Sequence, residues 1–561
     1  MRLTLSLAAL MSGVALSTMS LATMAVAQSS EPAFDAAKLS EHIRILADDS
    51  FEGRGIATEA EPKVVKYLSE QYAAAGFEPG GDLQADGSRL WTQAVTLNRF
   101  EVEDFKAQLK VGDWTLPLAQ GEQIVASTRL PNASGHVMLM NAPLVFVGYG
   151  IHAPERNWDD FKGMDLKGKI LVVLVNDADF EDPTLDTFGG KAMTYYGRWT
   201  YKYEEAARQG AAGVLIVHET APASYGWGTV RNSWTAPQFD IERTDPSKDR
   251  VAMEAWIQRD VAVQMFQHAG LDFEALKLQA RSRDFRPVEL TGAGLNAMFD
   301  LKTDRIESHN VVARLPGTTH PDETILYTAH WDHIGVGTPD ANGDAIFNGA
   351  VDNASGTAGL LEIARVFGAA PRAQRSIVAI SFTGEESGLL GSTYYAANPL
   401  YPLAKTVGGF NMDSANVYGR TTAMSIIGFG QSDLDERVTA EVEAQGRVIE
   451  PDGNTQAGYY FRSDHFPLAK EGVPMAYAES GGSFRDAPIE ARIAARDEYT
   501  AKRYHQADDE WSADWDYRGQ MEDLTVYYDI GRALADSRDW PQWKSGSEFG
   551  PARAVSAAER E

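Results

Sequence analysis

Residues 328–337 read TAHWDHIGVG, residues 348–365 NGAVDNASGTAGLLEIAR, residues 376–392 SIVAISFTGEESGLLGS and residues 408–419 GGFNMDSANVYG. Four short polar clusters, around His330, Asp352, Glu385–Glu386 and Asp413, each sit at the edge of an apolar run. Asn310–Leu315, Thr324–Thr328 and Ser376–Phe382 read as strands, the last apolar throughout; Ala354–Phe367 and Gly388–Ala397 read as helices. Buried strands alternating with helices from Ser308 onward predict an α/β fold, a mostly parallel central sheet flanked by helices. Ligands bind such sheets at the carboxyl ends of the strands. His330, Glu385 and Asp413 all follow strand-like runs.

Each cluster has a plain reading and a chemical one. His330-x-Asp332 is either a loop histidine or an imidazole ligand whose second ring nitrogen a carboxylate holds. Asp352 is either a helix cap or a carboxylate with two oxygens free to bridge cations. Glu385 and Glu386 are either solvated glutamates at a helix start or a buried pair. Burying two anions costs several kcal/mol, on the order of the desolvation penalty, unless cations compensate. In the buried case one glutamate ligates a metal while the other takes a proton from a metal-bound water. A later histidine, His505 in KRYHQADDEW or His465 in RSDHFP, would complete a set of five nitrogen and oxygen donors. Five donors with one carboxylate shared is what a two-metal site requires.

Outward from this stretch, residues 1–27 read as a signal peptide: Arg2, an apolar stretch, then Ala25-Val26-Ala27 in small-x-small form. No later apolar run is long enough for a transmembrane helix, so no stable membrane anchor is expected after cleavage. Phe34–Phe77 is expected to hold two helices, with Leu39, Ile43 and Leu46, then Val64, Leu68 and Tyr72, at helical spacing around the polar loop DDSFEGRG (48–55). The apolar runs LVFVGYGI (144–151), KGKILVVLV (167–175) and AAGVLIVHE (211–219), separated by turn formers, mark residues 115–290 as a β-rich insert. His136, His152, His218 and His268 are isolated there and are expected to be structural. The expected organisation is thus signal peptide 1–27, first segment 28–114, insert 115–290, second segment 291–545 and tail 546–561.

The 561-residue chain is too long for one ordinary core. Its formal net charge of −28 disfavours nucleic acid and anionic membrane surfaces. It has no cysteine, which excludes disulfides, thiolate ligands and a cysteine nucleophile. Any transition-metal site must therefore use His, Asp and Glu.

In this order, AHWDHIG, GAVDNASG, TGEESGLLGS, NMDS and RYHQADDEW resemble the co-catalytic zinc metallopeptidases, the family of bacterial leucyl aminopeptidases and glutamate carboxypeptidases. The resemblance covers most of the mature chain. DDSFEGRG is similar to the family's early arginine-containing loop, and residues 115–290, with VGYGI, DLKGKILVV and EEAARQGAAGVLIV, resemble a protease-associated domain. The resemblance implies a zinc exopeptidase-like fold and two Zn2+ ions. One would be held by His330 and Asp413, the other by Glu386 and His505, with Asp352 bridging. It implies Glu385 as general base, Asp332 as the group orienting His330, and SDHFPL as a structural element near the site. Tyr504 resembles a tyrosine that polarises the scissile carbonyl in the carboxypeptidase branch. The implied protein is an exported exopeptidase, periplasmic or secreted, acting on a peptide or small amide, and aminopeptidase is favoured. A glutamate carboxypeptidase-like enzyme or dipeptidase stays open, as do, further off, a one-zinc glutaminyl cyclase-like transferase and a metal-free binding protein. An aminopeptidase needs an acidic group for the substrate ammonium, and a carboxypeptidase needs an arginine. Arg420, Arg462, Arg485 and Asp464 lie in the relevant segments, but spacing does not say which line the pocket.

Overall fold

Two helices open the folded chain, α1 (Ala36–Leu46) and α2 (Glu61–Ala74). Asp35 caps α1 by accepting the Ala37 N–H, and Pro62 sits in the first turn of α2, where its missing N–H is harmless. Leu39, Ile43, Leu46, Val64, Leu68 and Tyr72 are all buried, as their spacing predicts. In this computed structural model the described residues are 33–182, 184–337, 339–340 and 342–560. The expected signal peptide lies outside them.

The strands that organise the rest are, in chain order, β1 (Thr92–Val111), β2 (Ile124–Ser127), β3 (His136–Phe146), β4 (Ile170–Leu174), β5 (Gly213–His218), β6 (Met253–Gln258), β7 (Val288–Leu315), β8 (His320–His330), β9 (Arg375–Phe382), β10 (Thr406–Asn411), β11 (Thr421–Ile426), β12 (Val448–Glu450) and β13 (Met475–Phe484). They join in the order β12-β11-β13-β10-β8-β9-β7-β3-β4-β5-β6-β2. The result is a mixed α/β architecture with a large central sheet flanked by helices. Around the polar clusters the pairing is parallel: β8 lies between β9 and β10, and β13 continues beyond β10. β7 closes that side antiparallel to β9.

The other helices used below are α3 (Trp199–Arg208), α4 (Gly356–Ala369), α5 (Leu390–Ala397), α6 (Ile489–Lys502) and α7 (Arg518–Ala535). α1, α2, α4 and α7 all bury apolar faces in the same core as β8, β9 and β10. Gly531 of α7 is one place where that packing is very close. A Cβ there would overlap the Tyr327 hydroxyl, which donates to the Tyr527 carbonyl at 2.8 Å.

β1 and β7 form one long antiparallel ribbon, from Thr92 opposite Val311 to Val111 opposite Ala293. At one end Val311, Ala313 and Leu315 enter the first core; at the other, Phe100, Leu109, Leu295 and Phe299 enter a second. The second core also holds Leu144, Phe146, Ile170, Val172 and Leu215, from the β-branched runs of the 115–290 region. It therefore also draws on ribbon residues lying outside that interval. β3, β4, β5 and β6 are parallel neighbours, with α3 between β4 and β5. Among the described residues no helix is long and apolar enough to cross a membrane.

Candidate metal centre

The register of the parallel strands brings the polar clusters together. His330 at the end of β8 pairs with Phe382 at the end of β9, and Thr328 pairs with Asn411 at the end of β10. Three carboxyl ends thus open at one edge. Glu385 and Glu386 follow β9 by a turn through Gly384, whose φ of +67° is one that glycine adopts freely. Asp332 fixes that turn: its Oδ1 accepts the Glu385 N–H at 3.1 Å and its Oδ2 the Glu386 N–H at 3.4 Å. Asp413 follows β10, and Ser463 donates to its Oδ2 at 2.6 Å.

Asp352 lies in the turn Ala350–Ser355 that leads into α4. It does not cap the helix. The Val351 and Asp352 N–H groups donate to the Asp509 carboxylate at 3.1 Å, and the Asp352 carboxylate faces histidines instead. The next residue, Asn353, follows a cis peptide bond. Its Nδ2 donates to the Met412 carbonyl at 3.1 Å, and its Oδ1 accepts the Ser414 N–H at 3.1 Å. This ties the Asp352 turn to the Asp413 segment. Arg54, 1% exposed, donates to four carbonyls: Trp331, Leu46, Asn348 and Gly349. The DDSFEGRG loop is thereby fastened to both the β8 end and the Asp352 turn.

His330 Nε2 lies 3.4 Å from Asp352 Oδ1 and 3.3 Å from Asp413 Oδ1. His505 Nε2 lies 3.2 Å from Asp352 Oδ2 and 3.1 Å from Glu386 Oε2. The two oxygens of Asp352 therefore face two different donor sets. Tetrahedral donors about 2.0–2.1 Å from a zinc ion stand about 3.3–3.4 Å apart, so both sets have the spacing of such an ion's ligands. Glu385 Oε2 is farther off, 3.9 Å from His330 Nε2. The nearest acceptor to His330 Nδ1 is the main-chain carbonyl of Asp332 at 3.2 Å, with the Asp332 carboxylate at 3.8 Å.

The electrostatics are those of a crowded anionic pocket. Burial, with Asp413 and Glu386 nearby, lifts the Glu385 carboxyl well above its ordinary range against the opposing pull of His330. Burial also acts against a charged His330 or His505, but the facing carboxylates overcome it and hold both imidazoles well above their usual range. Burial raises Glu386 too, yet His505 and His333 pull it down to about 2. Asp352 is held well below its usual range because hydrogen bonds to His330 and His505 outweigh burial. Asp332, buried close to Glu386, is pushed up to about 7.

Other sequence candidates fall elsewhere. His465 is fully buried between the rings of Tyr460 and Tyr477, at 4.7 and 5.0 Å, and burial depresses it to about 3. Among the described residues it does not join the cluster. Tyr504 is 45% exposed and stacks on the His505 ring at 4.0 Å. His136 pairs with Asp300, His218 contacts the Tyr225 carbonyl and His268 stacks on Trp114. Arg420 and Arg485 pair with Glu522, whereas Arg462 makes no ion pair among the described residues. Two site residues escaped the sequence reading. His333 Nδ1 stands 2.6 Å from Glu386 Oε1, and Asp509 holds the Asp352 turn. His333 lay in view as the second histidine of His-x-Asp-His, whereas nothing in QADDEW marks Asp509 for that backbone contact.

Residues 310–528 match Peptidase family M28. A "Probable zinc metalloprotease" of Pyrenophora teres f. teres (strain 0-1) is 46% identical over 82 residues, which are 15% of this chain and 17% of that protein. "Aminopeptidase NAALADL1" of Mus musculus is 38% identical over 112 residues, 19% of this chain and 13% of that one. The chain thus spans less than a fifth of the length of either relative. Among solved structures, an aminopeptidase from Aneurinibacillus sp. strain AM-1 aligns with 90% of this chain and 94% of its own, at 20% identity and a TM-score of 0.49. BSAP, a zinc aminopeptidase from Bacillus subtilis, aligns with 93% and 98% at 18% identity and a TM-score of 0.45. The span that supplies His330, Asp352, Glu385, Glu386, Asp413 and His505 is the one that matches Peptidase family M28, residues 310–528.

Proposed function

We propose that this chain is an exported zinc-dependent aminopeptidase that removes the N-terminal residue of peptides at a two-metal centre. One observation carries the reading: each oxygen of Asp352 faces its own histidine, at 3.4 and 3.2 Å, and each histidine faces a second carboxylate, Asp413 at 3.3 Å or Glu386 at 3.1 Å, the spacing of zinc ligands. His330 and Asp413 would hold one zinc, His505 and Glu386 the other, and Asp352 would bridge. Zinc bound there would polarise the scissile carbonyl and make a water acidic enough to attack it at neutral pH.

The chain's own groups supply the remaining steps. Glu385, whose Oε2 lies 3.9 Å from His330 Nε2 and whose carboxyl is raised by burial, accepts a proton from the attacking water and passes it to the leaving amine. Water oxygen joins the carbonyl carbon and the C–N bond breaks; one water proton reaches the leaving nitrogen through Glu385, and the other stays on the new carboxylic acid, which loses it to solvent at neutral pH. Asp332 holds the Glu385–Glu386 turn through two backbone N–H groups, so the base and the neighbouring ligand keep fixed places. His333 fixes the Glu386 carboxylate through Oε1, leaving Oε2 toward His505. Tyr504 is assigned to the oxyanion from its place beside His505.

Support for the aminopeptidase direction comes from the acidic surroundings. A cavity of about 40 Å³ beside Asp413 is also lined by Glu479 and Ser480, a lining that suits a substrate ammonium. The mouse relative's name points the same way. A carboxypeptidase or dipeptidase on the same centre is the second reading, favoured by the unpaired Arg462. Residues 115–290 are assigned as a protease-associated insert and residues 1–27 as the export signal. Peptides blocked at one end test the direction: the zinc-loaded chain should cleave C-blocked but not N-blocked peptides, and the opposite preference would sink the aminopeptidase reading.

Metal removal should destabilise the chain more as pH rises. Without cations, Glu385, His330 and His505 all have folded-state values above their ordinary ones. Such groups stabilise the fold fully below their unfolded values and lose that contribution as pH climbs through the folded ones. Zinc affinity moves oppositely, because its ligands must be deprotonated. The fall in Tm on adding a chelator is therefore expected to be larger at pH 8 than at pH 6. An equal or reversed fall would contradict the assignment.

A further inference from the structure

Methionine is a flexible filler of cores, and most methionines of this chain are used so: Met253, Met265, Met412, Met424 and Met475 are all buried. Among the described residues only Met138, Met140 and Met298 are exposed, at 61, 71 and 40%, and all three stand at one place. Strand β3 alternates there. Val137 and Leu139 enter the second core, whereas His136, Met138 and Met140 face solvent. Strand β7 beside it does the same, with Ala297, Phe299 and Leu301 inward and Met298 outward. Aliphatic and aromatic residues thus fill the core while the thioethers stand in water, the reverse of what packing alone would place.

The register makes these side chains neighbours. Met138 is directly opposite Met298, and His136 is directly opposite Asp300. Opposed residues carry Cβ atoms about 4.5–5.5 Å apart and diagonal ones about 7–8 Å or less, within reach of long side chains. The His136 ring is already oriented. Its Nδ1 lies 2.6 Å from Asp300 Oδ1, which leaves Nε2 as the open donor, the arrangement of imidazoles that bind metals. On the far side of β7, β1 sets Lys106 opposite Met298 and Glu103 opposite Asp300, so charges of both signs flank the patch. No residue of the proposed zinc centre takes part, and the donors are of another kind. Zinc draws on thiolate, imidazole and carboxylate; thioethers with one imidazole are soft donors that select Cu(I). In a chain without cysteine, methionine is the soft ligand available.

We infer that Met138, Met298 and His136 form a surface site for a soft monovalent cation, Cu(I), with Met140 beside it and Asp300 holding the imidazole. This goes beyond the peptidase reading and does not rest on it. The ion binds and leaves as Cu(I), so no electron changes hands. His136, isolated in sequence, is not isolated on the sheet: the alternation of β3 puts it on one face with Met138, and the register of β7 adds Met298. The chain then holds two chemically separate kinds of metal, one at the carboxylate-and-histidine centre and a soft ion on the outer face of the ribbon.

The test is an anaerobic competition in which the full chain, incubated with zinc first, draws Cu(I) from the chelator bicinchoninate. Copper should transfer, and its X-ray absorption should show sulfur neighbours, which in a chain without cysteine are methionines. Asp300→Asn, which only frees the ring, should weaken binding by about tenfold, the lower end for a group behind a metal ligand. Met138→Leu, Met298→Leu and His136→Gln should each weaken it at least as much. All four positions lie on the solvent face, and either leucine variant suffices should the other fail to fold. Failure to take Cu(I) from the chelator, or copper surrounded by nitrogen and oxygen alone, would overturn the site. So would leucine variants that bind like the wild type, a result that would mark the methionines as an apolar docking face, for which leucine serves as well. A chain that takes up no zinc but shows copper with sulfur neighbours would remove the peptidase reading and leave this site standing.

Discussion

Glu385→Gln is expected to lower kcat/KM by about a hundredfold to ten-thousandfold while zinc content stays at the wild-type level. The substitution keeps the shape and the main-chain N–H that donates to Asp332, so the turn should hold. It removes only the oxygen able to take a proton. Glu385 Oε2 lies 3.9 Å from His330 Nε2, beyond the 3.1–3.4 Å spacing of the donor sets, which is why its loss should spare the metals. Neighbouring Glu386, 3.1 Å from His505, should behave oppositely: Glu386→Gln is expected to lose zinc. Metal analysis beside kinetics separates the two. Activity of Glu385→Gln within tenfold of wild type would remove it as the base.

The second large effect is on stability. Arg54→Met is expected to destabilise the chain by about 3–5 kcal/mol, the range for breaking a buried charged network. Methionine fills much of the volume but leaves four buried carbonyls, of Leu46, Trp331, Asn348 and Gly349, without a donor. It also removes a cation near Asp509, Asp332, Asp352 and Glu386. Because Asn348 and Gly349 lead into the Asp352 turn, zinc should bind more weakly as well. Urea unfolding of the metal-free chain measures the first effect and metal titration the second. A loss below about 1 kcal/mol would mean that water or neighbouring side chains replace those donors.

Much of the architecture could be read from period and composition. The apolar run SIVAISF became β9, buried along its whole length, and the Leu39–Ile43–Leu46 spacing became the buried face of α1. The parallel strands explain why residues as far apart in sequence as His330 and Asp413 come to 3.3 Å. What could not be read were contacts set by the backbone's path. Arg54 looked like one residue of a polar loop, because its role is to reach carbonyls nearly 300 positions away. His333 was visible as a residue type, but only the turn after β9 brings Glu386 to it. The ribbon of β1 and β7 blurs the composition change near residues 115 and 290, since β7 serves both cores.

The central claim is that Asp352 divides its two oxygens between two metals. Zinc content per chain, measured on wild type and Asp352→Ala after reconstitution and removal of excess metal, addresses it directly. Two ions in the wild type and fewer than one in the variant are expected, because each set would lose a ligand and the bridge. One ion in the wild type, or an unchanged count in Asp352→Ala, would contradict it.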